Sequence, residues 1–152
     1  MVTVLFSRED PLFSGLLRSC PPPGGAGTLR KETCLSGADF TSLPAGSILI
    51  ADSGSPLPEG AEKLRVVTCG RSQKDTFTFS SKGEESGSVA LMRAVETPAG
   101  TVGPMELPVE FPPCAGDFDI LAAAAVFILS GASAERISLF YPPETDSPNL
   151  NK

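Results

Sequence analysis

The chain is predicted to be an α/β domain, with a Rossmann-like, mostly parallel sheet in the N-terminal half and antiparallel hairpins and a packed helix in the C-terminal half. Three observations predict this. Ser47-Ile48-Leu49-Ile50-Ala51-Asp52 is an unbroken apolar run ending in Asp, the pattern of a parallel strand covered on both faces. Asp75 to Ser80 alternates instead, with Phe77 and Phe79 on one face against Thr76, Thr78 and Ser80 on the other, as strands of antiparallel hairpins do. Asp117 to Ser130 is apolar nearly all the way round, so it reads as a helix that needs cover on most sides.

The remaining elements follow in chain order. Val2 to Phe6 is a short β-branched and aromatic run, read as a buried strand. Asp10-Pro11 supplies an N-cap and a proline for a first helical turn, after which Leu12, Phe13, Leu16 and Leu17 repeat at helical spacing. Pro21-Pro22-Pro23-Gly24-Gly25 stops that helix. Thr28 to Leu35 is a second strand, and Ser36 to Leu43 has room for one or two helical turns. Arg65-Val66-Val67-Thr68-Cys69 is the strand after Ser47–Asp52. Ser88 to Val95 and Met105 to Phe111 are further strands, separated by the turn residues Pro98, Gly100 and Gly103. One domain is expected over 1–141, with a polar, proline-containing, flexible tail over 142–152.

Composition narrows the chemistry. The 152 residues are enough for one core, and the net charge of −6 disfavours nucleic acid and anionic membrane surfaces as partners. The opening residues lack the basic start of a signal peptide, and no apolar run approaches the roughly 20 residues of a membrane span. Cys20, Cys34, Cys69 and Cys114 form no C-x-x-C pair, so free thiols in a reducing cytoplasm are expected. The sequence contains no histidine. Ser-His and Cys-His nucleophile pairs and His-containing zinc sets are therefore excluded, and neither a metal nor a cofactor is expected.

Three segments carry a family resemblance: Ile48-Leu49-Ile50-Ala51-Asp52, Val66-Val67-Thr68-Cys69-Gly70-Arg71-Ser72, and Asp119-Ile120-Leu121-Ala122-Ala123-Ala124-Ala125 leading to Gly131. In order and spacing, Ser47 to Ile137 resembles the second half of the central domain of the Mur ligases, ATP-dependent enzymes that add amino acids to muramyl precursors. The resemblance implies a small bacterial protein of this layout, but no functional residue carries over. The G-x-x-x-x-G-K-S/T phosphate loop has no counterpart, because Gly24-Gly25-Ala26-Gly27-Thr28 lacks the Lys and precedes a strand. The family's G-x-H-N-x-x-N motif would fall near Cys114 to Asp119, where the His is missing and Asp119 stands at the last Asn position. The ligase C-terminal domain has no counterpart either.

In open α/β sheets ligands sit beyond the carboxyl ends of parallel strands. That geometry selects Asp52, Ser53 and Ser55 after one strand and Gly70, Arg71, Ser72 and Lys74 after the next, with Ser7 and Arg8 as further candidates. Two cations, hydroxyls and glycine-permitted amides there suit a phosphate or carboxylate. The plainer reading is polar turns, since Gly, Ser and Asp are what turns require. Asp117 and Asp119 are expected to cap the final helix rather than bind metal. Cys69 is the thiol best placed for reactivity, against the commoner role of a small buried hydrophobe. The apolar helix is read as core, with a homodimer face as the alternative.

Two functions remain. The first is a non-catalytic, Mur-ligase-like interaction or regulatory protein with a protein partner. The second is a binder of a small anion or nucleotide sugar, or a weak enzyme, using the loops at 52–55 and 70–75. A cleft lined by those residues favours the second, and a flat surface with an exposed apolar patch elsewhere favours the first.

Overall fold

The computed structural model describes residues 2–6, 29–33, 47–54, 56–57, 60–61, 64–131 and 135–139. The strands are β1 (Val2–Phe6), β2 (Leu29–Thr33), β3 (Ile48–Asp52), β4 (Arg65–Cys69), β5 (Phe77–Lys82), β6 (Ser86–Leu91), β7 (Val95–Thr97), β8 (Gly100–Val102), β9 (Met105–Glu110) and β10 (Ile137–Ser138). Helix α1 spans Asp117–Leu129. Eight strands form one mixed sheet in the order β10-β9-β6-β5-β4-β3-β1-β2, and β7 and β8 pair separately as a hairpin.

This corrects the expected fold class. A Rossmann-like α/β domain alternates strands with helices that cover both sheet faces. Among the described residues there are ten strands and a single helix, so the described part of the chain is predominantly β. The apolar runs that suggested a doubly wound sheet are strands, but the helices that should alternate with them were inferred from Leu12 to Leu17 and Ser36 to Leu43, both outside the described residues. The tail expected over 142–152 also lies outside them.

Pairing changes character along the sheet. β2, β1, β3 and β4 are parallel neighbours, with Ile48↔Arg65 through Asp52↔Cys69 in register. β4 and β5 are also parallel but share one pair, Cys69↔Phe77, so the carboxyl end of β4 meets the start of β5. Beyond that point β5, β6 and β9 are antiparallel. Short β10 closes the edge, parallel to β9. The expected strand from Ser88 to Val95 is divided: β6 ends at Leu91, and Val95 begins the β7–β8 hairpin.

Residue pattern explains burial. In β3, Ile48 and Ile50 join the cluster under α1, while Leu49 and Ala51 pack on the opposite face with Ala61, Leu64 and Val66. In β9 only Leu107 and Val109 are buried, and Met105, Glu106 and Pro108 are exposed. Every residue from Phe118 to Leu129 is buried within the chain, which agrees with the core reading of this helix. Ala122 to Ala125 are fully covered, and methyl-sized side chains let the helix lie close to its neighbours. Phe77, Leu91, Leu107 and Leu121 each stabilise the fold by about 1.5–3 kcal/mol through burial. No helix among the described residues is long and apolar enough to cross a membrane.

A bulge between Phe79 and Ser81 has a local consequence. Strict alternation would send Lys82 to the face opposite Phe79. The extra residue restores it to the helix side, where its ammonium lies 5.8 Å from the Phe79 ring centroid and 5.6 Å from that of Phe111. Opposite it, Gly87 has no room for a side chain, because a Cβ would sit 2.5 Å from the Ser81 carbonyl oxygen.

Candidate functional site

Where β4 and β5 part, a cleft of about 450 Å³ opens against the first turn of α1. Its floor comes from the carboxyl ends of two parallel strands: Asp52, Ser53 and Gly54 after β3, and Cys69, Gly70 and Arg71 after β4. Gly116, Asp117, Phe118 and Leu121 form the opposite wall. The volume falls within the usual range of small-molecule sites.

Hydrogen bonds hold this floor. The Ser53 amide donates to the Cys69 carbonyl at 3.1 Å, tying the two strand ends together. The Gly54 amide donates to Asp52 Oδ1 at 2.9 Å, an Asx turn that fixes the reversal after β3. Between β4 and β5 the loop bonds to itself: the Ser72 amide donates to Asp75 Oδ2 at 3.0 Å, and the Lys74 amide to Ser72 Oγ at 3.1 Å. A Cβ on Gly70 would lie 2.1 Å from Ser53 Oγ and 2.5 Å from Asp75 Oδ2, so only glycine lets both loops close there.

Of the residues selected from sequence, Asp52, Ser53, Gly70 and Arg71 come together on the cleft. Ser72 and Lys74 belong to the adjoining loop and do not line it. Ser55 lies outside the described residues, as do Ser7, Arg8 and the glycine-rich stretch from Gly24 to Thr28. Among the described residues the cleft therefore has one lining cation where the sequence suggested two.

That cation is engaged. Arg71 Nη2 lies 2.6 Å from Asp117 Oδ2, and Arg71 Nε donates to the same oxygen at 2.7 Å. Lys82 Nζ approaches Oδ1 at 3.2 Å. Arg71 also stacks over Phe79, with 5.5 Å from guanidinium carbon to ring centroid. Burial alone would raise the Asp117 carboxyl. The hydrogen bonds and charges of Arg71 and Lys82 outweigh it and hold the group below the ordinary carboxylate range.

The aspartates of α1 take the expected place at its N-terminus, although neither is the N-cap residue itself. Gly116 is the N-cap and supplies no side-chain bond, while Asp117 and Asp119 occupy the first turn. There the charge of Asp117 complements the helix dipole. Sequence reasoning passed over Asp117 as a cleft residue because its partner Arg71 is 46 positions away.

Cys69 is almost fully buried. Burial first, then the negative charges of Asp75 and Asp52, push its thiol far above the ordinary range. A thiol held protonated is a poor nucleophile, so the role of a small hydrophobe holds. Cys114 is a free, exposed thiol. Among the described residues no three His, Cys, Asp or Glu groups gather to hold a metal ion.

No protein-family model matches the chain, and no curated protein matches it at a significant level.

Proposed function

We propose that this protein is a non-catalytic binding module whose cleft beyond β3 and β4 takes a small anionic ligand, with nucleotide sugars as the largest class it would accept. One observation carries this reading: Asp52, Ser53, Gly70 and Arg71, drawn from two adjacent strand ends, line a single cleft of about 450 Å³. Arg71 is the anion's partner on that cleft. Binding rather than turnover is favoured by the sequence, which has no imidazole, and by a cleft thiol that burial keeps protonated.

The interaction-protein alternative calls for an exposed apolar patch. Among the described residues only Leu57 and Met105 are large and exposed, which favours the cleft. We further propose kinship with the second half of the Mur ligase central domain, resting on the segments of β3, β4 and α1, with no ligase residue transferred. A reducing cytoplasm is the compartment we assign, given free thiols at Cys69 and Cys114.

The test is a thermal-shift screen of nucleotides, UDP-sugars and simple anions. The expected result is a rise in melting temperature that Arg71→Ala abolishes. No shift with any of these compounds would overturn the reading.

A further inference from the structure

The carboxylate that holds Arg71 divides its two oxygens between two cations. Asp117 Oδ2 takes both Nε and Nη2 of Arg71, whereas Oδ1 takes Lys82. Separate oxygens make the two contacts separable, so Arg71 can leave without stripping Asp117 of countercharge. The Phe79 ring lies against both cations, 5.5 Å from one and 5.8 Å from the other. Arg71 is well exposed, at 63% of its side chain, so it has room to turn toward a ligand.

We propose that Asp117 is the specificity-determining residue of this cleft: it occupies Arg71 until a ligand's anionic group replaces it, and Lys82 offsets part of its charge afterwards. The inference rests on the cleft reading above and deepens it by naming a ligand class. With Arg71 turned to the anion, Asp117 and Asp52 remain on the cleft wall as hydrogen-bond acceptors. A bare anion meets their charge and gains nothing from them. An anion flanked by hydroxyl groups donates to them and offsets the repulsion, so the favoured ligand is a sugar phosphate or its nucleotide-linked form. Lys82 owes its place here to the bulge in β5, which brings it to the helix side of the sheet.

The experiment titrates wild type, Asp117→Asn, Lys82→Gln and Arg71→Ala with inorganic phosphate and glucose 1-phosphate by calorimetry, with circular dichroism to confirm folding. Wild type should prefer glucose 1-phosphate. Asp117→Asn should bind phosphate more tightly, by about fivefold, the limit for an exposed ion pair. Its preference for the sugar phosphate should shrink. Lys82→Gln should weaken both ligands, because Asp117 then leans on Arg71 alone. If wild type binds and Arg71→Ala does not, yet Asp117→Asn binds phosphate no better, the specificity role is wrong and the cleft reading survives. If neither wild type nor Asp117→Asn binds either probe, both fall.

Discussion

β3 and β9 belong to one sheet yet meet water differently. Every residue from Ile48 to Ala51 is buried, alternately against the α1 face and against the opposite face. Along β9 only Leu107 and Val109 are buried, and the outer face carries polar contacts such as Ser80 Oγ donating to Glu106 Oε1 at 2.6 Å. A parallel strand covered on both sides needs a continuous apolar run, whereas a one-sided antiparallel strand needs alternation. The cleft sits at the seam, where β4 and β5 share a single pair and neither pattern continues.

The largest effect is expected at the seam itself. Phe77, the β5 partner of Cys69, is fully buried, and Phe77→Ala should cost about 3–5 kcal/mol by chemical denaturation. Next, adjacent substitutions should behave differently in the two regions. Leu49→Ala and Ile50→Ala should each cost about 2–5 kcal/mol, because both faces of β3 are covered. In the antiparallel region Leu107→Ala should cost as much, while Ser80→Ala should stay within about 0.5 kcal/mol. Equal losses at Leu107 and Ser80 would remove the distinction.

Much of this division is legible in the sequence. The unbroken run Ile48–Ala51 and the all-apolar helix announce their burial, whereas the alternation around Phe77 and Phe79 does not, because Thr76 and Thr78 are buried as well and Phe79 is half-buried. The α/β class was misread because apolar strands imply covering layers without saying that those layers are helices. The β7–β8 hairpin and β10 are strands of two or three residues, too short for a period to register. In the site, Asp52, Ser53, Gly70 and Arg71 were recoverable because strand-end loops follow from strand order. Lys82 was not, because it reaches Asp117 through a bulge that leaves no alternation signal. Nor was Asp117, whose pairing depends on a contact across the fold.

Smaller effects sharpen the same picture. Asp117→Asn should destabilise the protein by less than about 1 kcal/mol, since both partners are partly exposed and solvent screens the pair. Its folded carboxyl is held low, so the contribution is present above the ordinary carboxylate range, near pH 4. It is lost as pH falls through the folded value, and wild type and Asp117→Asn should converge in stability on acidification. Cys69 runs the other way. Its folded thiol is raised, so stability is intact below the ordinary thiol range and declines as pH rises beyond it. Cys69→Ala should flatten that alkaline decline. In alkylation mapped by mass spectrometry at pH 8, Cys114 should label in the native protein and Cys69 only after unfolding.

Arg71 is the group through which the cleft should hold its ligand. Melting temperature measured for wild type and Arg71→Ala across a concentration series of UDP-glucose tests this most directly. A concentration-dependent rise in wild type that vanishes in Arg71→Ala is the predicted result. A rise of the same size in both proteins would place binding elsewhere and contradict it.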